Sequence, residues 1–299
     1  MSLLTKKKKQ DLQPGEYVAR TRGQEVWRQF KKNKGAMIAL YVLAFMVAVL
    51  VFAQFYYDFE TDICQITPEV LRAPSAKHWF GTDHLGRDVF ARLLYGGRWS
   101  ISIALAAVAF STIIGVIYGA IATYIGGKVE DWMMRVMEAI MMIPGMLLVI
   151  VLVGVLGIST VNLIVAMSIG GIPYLARLTR SVIMPIRGAE YVEAARVIGA
   201  SDARILLTHI LPNCLSPLIV NITMRVSIMI VSVSTYSFIG LGVPQPIPEW
   251  GTMLSESRNF LSVRPDLVFY PGIMILIFSL MFSLLGDGLR DALDPKLKR

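Results

Sequence analysis

Long uncharged runs, separated by basic or proline-rich segments, set the pattern of this chain. Gly35 to Tyr57 carries no charge and includes eleven Leu, Ile, Val or Phe residues. Together these favour bilayer insertion by roughly 3–7 kcal/mol. About 20 apolar residues let a helix cross the hydrocarbon core, so this run predicts a first span. Trp99 to Gly127 predicts a second. Ala139 to Ala176 is also uncharged but too long for one crossing, and Gly157-Ile158-Ser159-Thr160-Val161-Asn162 is its natural break. It reads as a hairpin of spans three and four. Span five runs from about Leu215 to Leu241 and span six from about Leu267 to Leu285. Pro144, Pro173 and Pro271 fall inside or at the ends of spans, where kinks are tolerated if neighbours satisfy the freed carbonyls.

Six spans return both termini to one side, and charge decides which. With the N-terminus inside, 21 Lys and Arg lie on the inner face and seven on the outer, with Arg225 inside span five. Such an excess marks the cytoplasmic side, which gives N-in, C-in. Residues 1–34 alone hold ten of these cations, including Lys6-Lys7-Lys8-Lys9. Beside a hydrophobic span this tail reads as a topology signal and not as a nucleic-acid-binding arm. It is too long for the basic end of a signal peptide, and no small-residue cleavage site follows the apolar run. The chain thus divides into a basic tail (1–34), a first transmembrane helix (35–57), an outer segment (58–98), a core of five further spans (99–286) and a cytoplasmic tail (287–299). The longest inner loop, from about Arg177 to Asn213 with the coupling segment at 188–213, separates spans four and five and is where a soluble partner would dock.

The chain has 299 residues, 55% hydrophobic and 17% charged, with a mean hydropathy of +0.59. That balance excludes an ordinary soluble enzyme, a disordered chain and a coiled coil. Cys64 and Cys214 have no metal-type spacing, and three histidines (His78, His84, His209) make no metal cage. Met133, Met134, Met137, Met141, Met142 and Met146 cluster at the start of span three and read as flexible packing. No phosphate loop of the GxxxxGK[ST] type occurs, and Gly126-Gly127-Lys128 lacks its spacing. No intramembrane His and carboxylate series suggests a proton relay. The sequence therefore predicts no catalytic residue, no metal site and no cofactor bound by this chain.

The inner loop reads GAEYVEAARVIGASDARILLTHILPN, Gly188 to Asn213. It parses as helix, break, helix. Glu190 to Ile198 has good helix formers, Gly199 suits the left-handed conformation that ends a helix, and Ser201 or Asp202 is placed to cap the next. Pro212 and Asn213 then stop the second helix before span five. Ala194 and Ala195 offer a small-residue face, with Glu193 and Arg196 as charged handles beside it. The pattern Glu193-Ala194-Ala195, three residues, Gly199, nine residues, then His209-Ile210-Leu211-Pro212 resembles the EAA loop of ABC importer permeases. In that family the loop forms coupling helices that sit in a groove of the ATP-binding subunit. The resemblance makes Glu190, Glu193, Ala194, Ala195, Arg196, Gly199, His209, Leu211 and Pro212 the expected coupling residues. The usual pattern has an apolar residue where His209 stands, and His there resembles the peptide-permease branch.

The segment HWFGTDHLGRDVFARLLYGGR, His78 to Arg98, carries Asp83 and Arg87, and Asp88 and Arg92, each pair four apart with the acid first. On a helix both pairs have the favourable order and contribute a few tenths of a kcal/mol each when exposed, about 0.2–0.5. With Leu85, Val89 and Leu93 as an apolar stripe, it predicts an amphipathic helix on the outer membrane face before span two. The string closely resembles the same segment in C-type subunits of dipeptide, oligopeptide and nickel permeases. So do LGVPQPIPEWG (Leu241 to Gly251) and GDGLRDALDPKLK (Gly286 to Lys298). The resemblance implies an all-α, six-span, type I ABC importer permease fold in the bacterial cytoplasmic membrane. It implies a homologous B-type permease as partner, two ATP-binding subunits that use ATP and Mg, an extracellular solute-binding protein, and a dipeptide or oligopeptide as substrate.

Arg225 is the exceptional residue. An Arg at a span centre costs about 2.5–3.5 kcal/mol on the insertion scale. The thirteen Leu, Ile, Val or Phe residues of span five outweigh it, contributing roughly 4–8 kcal/mol. Arg225 must therefore face water or a partner. It reads either as a path-lining residue that meets a peptide carboxylate or carbonyl, or as a structural ion pair or snorkelling residue near the inner face. Ser227, Ser232, Ser234, Thr235 and Ser237 are further polar candidates on span five, with Ser232 and Thr235 joining Arg225 as the candidate path. Members of the resembled family often have a small residue where Arg225 stands and an acidic one where Val233 stands, so the departure bears on substrate. Two alternatives stand beside the peptide importer. A nickel or metal-chelate importer would favour His, Cys or carboxylate in the spans, which are scarce here. A stand-alone secondary transporter would show internal repeats and need no docking loop.

Overall fold

The computed structural model describes residues 22–294. The Lys6–Lys9 run and the cations Lys296, Lys298 and Arg299 lie outside them. A short amphipathic helix, α1 (Arg22–Lys32), comes first. Asn33 then caps α2 (Lys34–Tyr56) by accepting the Ala36 N–H at 3.1 Å. The amide of the same Asn33 donates to Asp291, near the end of α11 (Asp266–Leu293), at 3.0 Å. Phe30, Ala36 and Ala292 are buried together there. Both ends of the described chain thus meet at one end of the bundle, the basic end. The last helix runs on to Leu293, past the expected boundary at 286.

Five helices are long and apolar enough to cross a membrane: α2, α3 (Val89–Ile125), α6 (Thr160–Arg187), a continuous run Asp202–Phe238, and α11. The sixth candidate is a bent pair of helices. α4 (Gly127–Met141) and α5 (Gly145–Leu156) meet at 85°. The 12 residues of α5 reach about 18 Å at 1.5 Å per residue, less than the ~30 Å of hydrocarbon. The expected third span is therefore a pair bent at the proline where a kink was allowed for. Pro144 supplies the reason, since its ring cannot continue the preceding helix. The turn into α6 falls at Gly157, as the sequence predicts, and Ser159 caps α6 by accepting the Asn162 N–H at 3.1 Å.

A second correction concerns Pro212. It does not end a helix. Asp202–Arg204 (α8) passes into one widened turn, Ile205–Ile210, and then directly into α9 (Leu211–Phe238). In that turn the Leu211 N–H reaches back to the Leu206 carbonyl. Pro212 sits in the first turn of α9, where its missing N–H costs least, and the widened turn before it absorbs the change of register.

The core forms where α3, α6, α9 and α11 cross. Ile103, Ala104, Ala107 and Val108 of α3 pack with Leu163, Ala166 and Met167 of α6, Ile230 and Val233 of α9, and Phe278 of α11. Between apolar helices in lipid the hydrophobic effect is weak, so close backbone approach through small residues carries the association. At Gly119 any side chain would run into the Ala176 carbonyl and the Thr179 side chain. Ser227 bonds the Ser279 carbonyl at 2.7 Å and so joins α9 to α11.

The outer segment differs most from its prediction. Residues 78–88 form turns, not an amphipathic helix, and α3 starts only at Val89. Gly86 has φ 77°, and its position against the Thr67 carbonyl leaves no room for a side chain. Asp83 closes the turn by accepting the Leu85 and Arg87 N–H groups at 2.8 and 3.0 Å. Asp88 caps α3 through the Ala91 N–H at 2.7 Å and holds His78 Nδ1 at 2.7 Å, so it does not pair with Arg92. The arginines are buried, not exposed. Arg87 bonds Asp83 at 2.7 Å and Glu256 at 2.9 Å, and Arg92 bonds Glu256 at 3.1 Å. Glu256 belongs to α10 (Trp250–Ser257), so two acids and two arginines fasten the outer segment to the α9–α11 connection. The carboxylates of Asp83 and Glu256 lie close enough with His84 to hold a cation, but the two guanidiniums already occupy that space. Glu249 caps α10 and takes the Ser100 hydroxyl at 2.7 Å. Burial pushes its carboxyl above the ordinary range, opposed by the hydrogen bonds from Ser100 and the backbone of α10.

Three outcomes follow for thermal unfolding in detergent. Gly119→Ala lowers stability by about 1–3 kcal/mol, the cost of overpacking a close contact. Gly272→Ala, on α11 with open space around the added methyl, leaves it unchanged or raises it by up to about 1 kcal/mol. Glu256→Ala leaves two buried guanidiniums to share the single carboxylate of Asp83 and costs about 3–5 kcal/mol. A loss under 1 kcal/mol would show that this cluster does not hold the outer end.

Candidate coupling loop and translocation face

The inner loop begins with α7 (Glu190–Val197). Glu190 and Glu193 stand in its first turn, where negative charge suits the helix dipole. Gly199 ends it with φ 83°. The Gly199 N–H bonds the Arg196 carbonyl and the Ala200 N–H the Ala195 carbonyl, both at 3.0 Å. This double closure needs a left-handed residue, and Gly199 is exposed with nothing near its missing side chain. Ser201 takes the capping position of the next helix but makes no side-chain capping bond.

The loop has two faces. Val192, Ala195, Ile205 and Ile210 are buried against Ala120 of α3, Ile183 of α6, and Cys214 and Leu218 of α9. Burying Val192, Ile205 and Ile210 is worth on the order of 5–9 kcal/mol against leaving them in water. That is many times thermal energy, so the loop follows the helix ends and does not peel away. Glu190, Glu193, Ala194 and Arg196 face outward, with Val197 and Ile198 87% and 83% exposed. The two alanines therefore do not share a face, as the sequence had suggested: Ala194 points out and Ala195 packs inward, because neighbouring helical residues are separated by about 100°. Leu211 is half-buried and Pro212 exposed. His209 is half-buried, and its carbonyl accepts from the Asn213 amide at 2.7 Å.

The sequence reading missed Tyr124, in the last turn of α3. Its hydroxyl donates to Asp202 at 2.5 Å, and the Arg196 guanidinium lies 5.7 Å from its ring centre. One side chain thus touches both halves of the loop. Nearby, Arg187 donates to the Thr123 carbonyl at 2.9 Å, and Arg180 to Glu130 of α4 at 2.5 Å. The only signal in the sequence was an aromatic at a span end, which ordinarily marks the membrane interface.

On α9, Asn221, Arg225, Ile228, Ser232 and Thr235 recur at spacings of four and three and share one face. Ile228 is 66% exposed and Thr235 is exposed. The hydroxyls of Ser232 and Thr235 bond the Ile228 and Val231 carbonyls of their own helix, at 3.0 and 2.9 Å. The other three hydroxyl candidates do not line this face. Ser227, Ser234 and Ser237 are buried in the helix packing. Arg225 lies 14 residues beyond Leu211 in the 28-residue α9, about 21 Å along the axis. Mid-helix is too deep for snorkelling to the inner face. Its guanidinium instead lies 4.6 Å from the ring centre of Tyr174 on α6.

Comparison with known proteins places this architecture. Residues 79–299 match the family described as the inner membrane component of binding-protein-dependent transport systems, and residues 21–74 match the N-terminal transmembrane domain of oligopeptide transport permease C. The dipeptide transport system permease protein DppC of Alkalihalophilus pseudofirmus is 39% identical over 95% of this chain and 93% of its own length. The glutathione transport system permease protein GsiD of Escherichia coli is 40% identical over 93% and 92%. Among solved structures, an inward-facing MetNI methionine ABC transporter aligns over 69% of this chain and 97% of its own, with TM-score 0.58 and 17% identity. An amino acid ABC transporter with histidines aligns over 67% and 94%, with TM-score 0.52 and 14% identity. These two show a shared fold. A component of such a system resides in the inner membrane, does not itself hydrolyse ATP, and works with an ATPase and a binding protein, which removes the stand-alone carrier. With both family matches together spanning nearly all of the described residues, the chain belongs to the inner membrane component family of binding-protein-dependent transport systems, in its oligopeptide permease C branch.

Proposed function

We propose that this chain is one of two transmembrane subunits of an ATP-driven importer of dipeptides or oligopeptides. Its partners are a homologous B-type permease, two ATP-binding subunits and an extracellular solute-binding protein. The two-faced loop at the basic end carries this reading, with an apolar side seated on α3, α6 and α9 and an outward side of Glu193, Ala194, Arg196, Val197 and Ile198. Relatives named for dipeptide and glutathione transport support the substrate class.

In this reading the outward side of α7 docks on an ATP-binding subunit. Closure of the ATP-binding subunits around nucleotide displaces α7 as a rigid element, because the closure at Gly199 and the buried inner face prevent it from bending alone. The displacement passes to α3 through Tyr124, to α6 through Ile183 and to α9 through the helix that continues past Pro212. Alternating access follows as these helices tilt. The face Asn221, Arg225, Ile228, Ser232 and Thr235 lines the path together with the sister permease.

Uptake of labelled dipeptides, longer peptides and nickel by cells carrying the whole system tests the substrate. Peptide uptake is expected, and nickel uptake alone would overturn that assignment. Gly199→Pro removes an N–H donor and fixes φ near −65°, about 150° from the required value. It is expected to cut uptake more than tenfold with normal insertion, and undiminished uptake would sink the coupling role. Tyr124→Phe removes one hydrogen bond and keeps the ring. It is expected to lower substrate carried per ATP hydrolysed several-fold in proteoliposomes, with little change in basal ATP hydrolysis.

A further inference from the structure

Arg225 is a half-buried cation with no counter-charge beside it among the described residues. No Asp or Glu occurs in α2, α3, α5, α6 or α9, and the acids of α11 sit in its first turn and its last two turns. Among the described residues the guanidinium makes no ion pair, and its Nε is buried without a hydrogen-bond partner. Yet the group is held in place. It lies over the ring of Tyr174, whose hydroxyl donates to Asn221 at 3.1 Å, one turn before Arg225 on the same face. Gly171 leaves the space beside it, since a methyl there would come within 3.2 Å of the terminal nitrogen. A positioned, partly dehydrated guanidinium with free N–H groups has the planar fork that matches a carboxylate. It lies midway along α9, on the face with Ser232 and Thr235.

We propose that Arg225, oriented by Tyr174 and Asn221, binds the C-terminal carboxylate of the peptide as it crosses the middle of the membrane. This rests on the peptide-importer reading above. The membrane subunit then reads the free carboxylate itself, independently of the binding protein. Tyr174 and Asn221 are positioning residues for the guanidinium, and Gly171 is the position that must stay without a side chain.

The test uses the whole complex in proteoliposomes with its binding protein. Labelled dialanine and trialanine are compared with their C-terminal amides, each at concentrations that saturate the binding protein. Because the binding protein is the same for every permease variant, a change in the acid-to-amide uptake ratio belongs to the membrane subunits. The wild type is expected to favour the acids by about tenfold, the scale of one charge-assisted hydrogen-bonded pair. Arg225→Met is expected to bring the ratio near one, and Arg225→Lys to keep part of it. An unchanged ratio in Arg225→Met overturns the proposal. So does loss of the B-type permease on purification of Arg225→Met with recovery in Arg225→Lys, since that result makes Arg225 an ion-pair partner of the sister subunit. If the wild type carries no peptide of either form while moving another solute, the peptide reading itself fails and this inference falls with it. Tyr174→Leu leaves the charge but frees the guanidinium, and is expected to lower the ratio with the complex intact.

Discussion

Hydrocarbon offers the backbone no hydrogen-bond partner, and the rest of this structure depends on that constraint. Every crossing segment must satisfy its own amides, so the chain is helical wherever it meets lipid. The helices then need a reason to associate, because lipid is as apolar as their side chains. Contact at the level of backbone supplies it, as where Gly119 of α3 lies against Ala176 of α6. Hydroxyls such as Ser227 contribute by bonding across helices. Apart from the break between α4 and α5, irregular backbone lies at the two ends, and each end uses a different chemistry. Charges sequestered among four residues secure the outer loops, whereas apolar side chains seat the inner loop.

That division explains what was legible in the residues and what was not. Hydropathy marked the spans because insertion energy is a sum over residues, insensitive to what each one touches. Gly199 was legible because the end of α7 requires a conformation that local chemistry selects. The outer segment was misread for the opposite reason. Asp83 and Arg87 have helical spacing, but Arg87 and Arg92 share Glu256, more than 160 residues away in sequence. Nothing local announces such a partner. Pro212 was misread as a stop because a proline in the first turn of a helix and a proline after one look alike until the register is known. Tyr124 was invisible as a coupling residue, since its partners Asp202 and Arg196 come together only in the fold.

The inner loop joins two kinds of attachment with different mechanical character. Its apolar seat tolerates small sliding at little cost, because dispersion contacts are individually weak and non-directional. The tyrosine clamp is directional and resists rotation of α7 against α8. A loop held in this way transmits displacement while adapting to small changes in helix tilt. The bent α4–α5 pair lies outside this load path and is joined to it on the inner side by the pairing of Arg180 with Glu130.

Gly171 has a consequence for descent. A methyl there would press on Ser111 at 2.9 Å as well as on the guanidinium of Arg225, so the two positions cannot change in any order. A lineage that acquires a side chain at 171 while keeping the arginine passes through a crowded, less stable intermediate. One that first shortens residue 225 relieves part of that crowding. An arginine is correspondingly easier to admit at 225 where 171 is already bare. The pair works as a ratchet: the history of one residue sets which substitutions the other accepts.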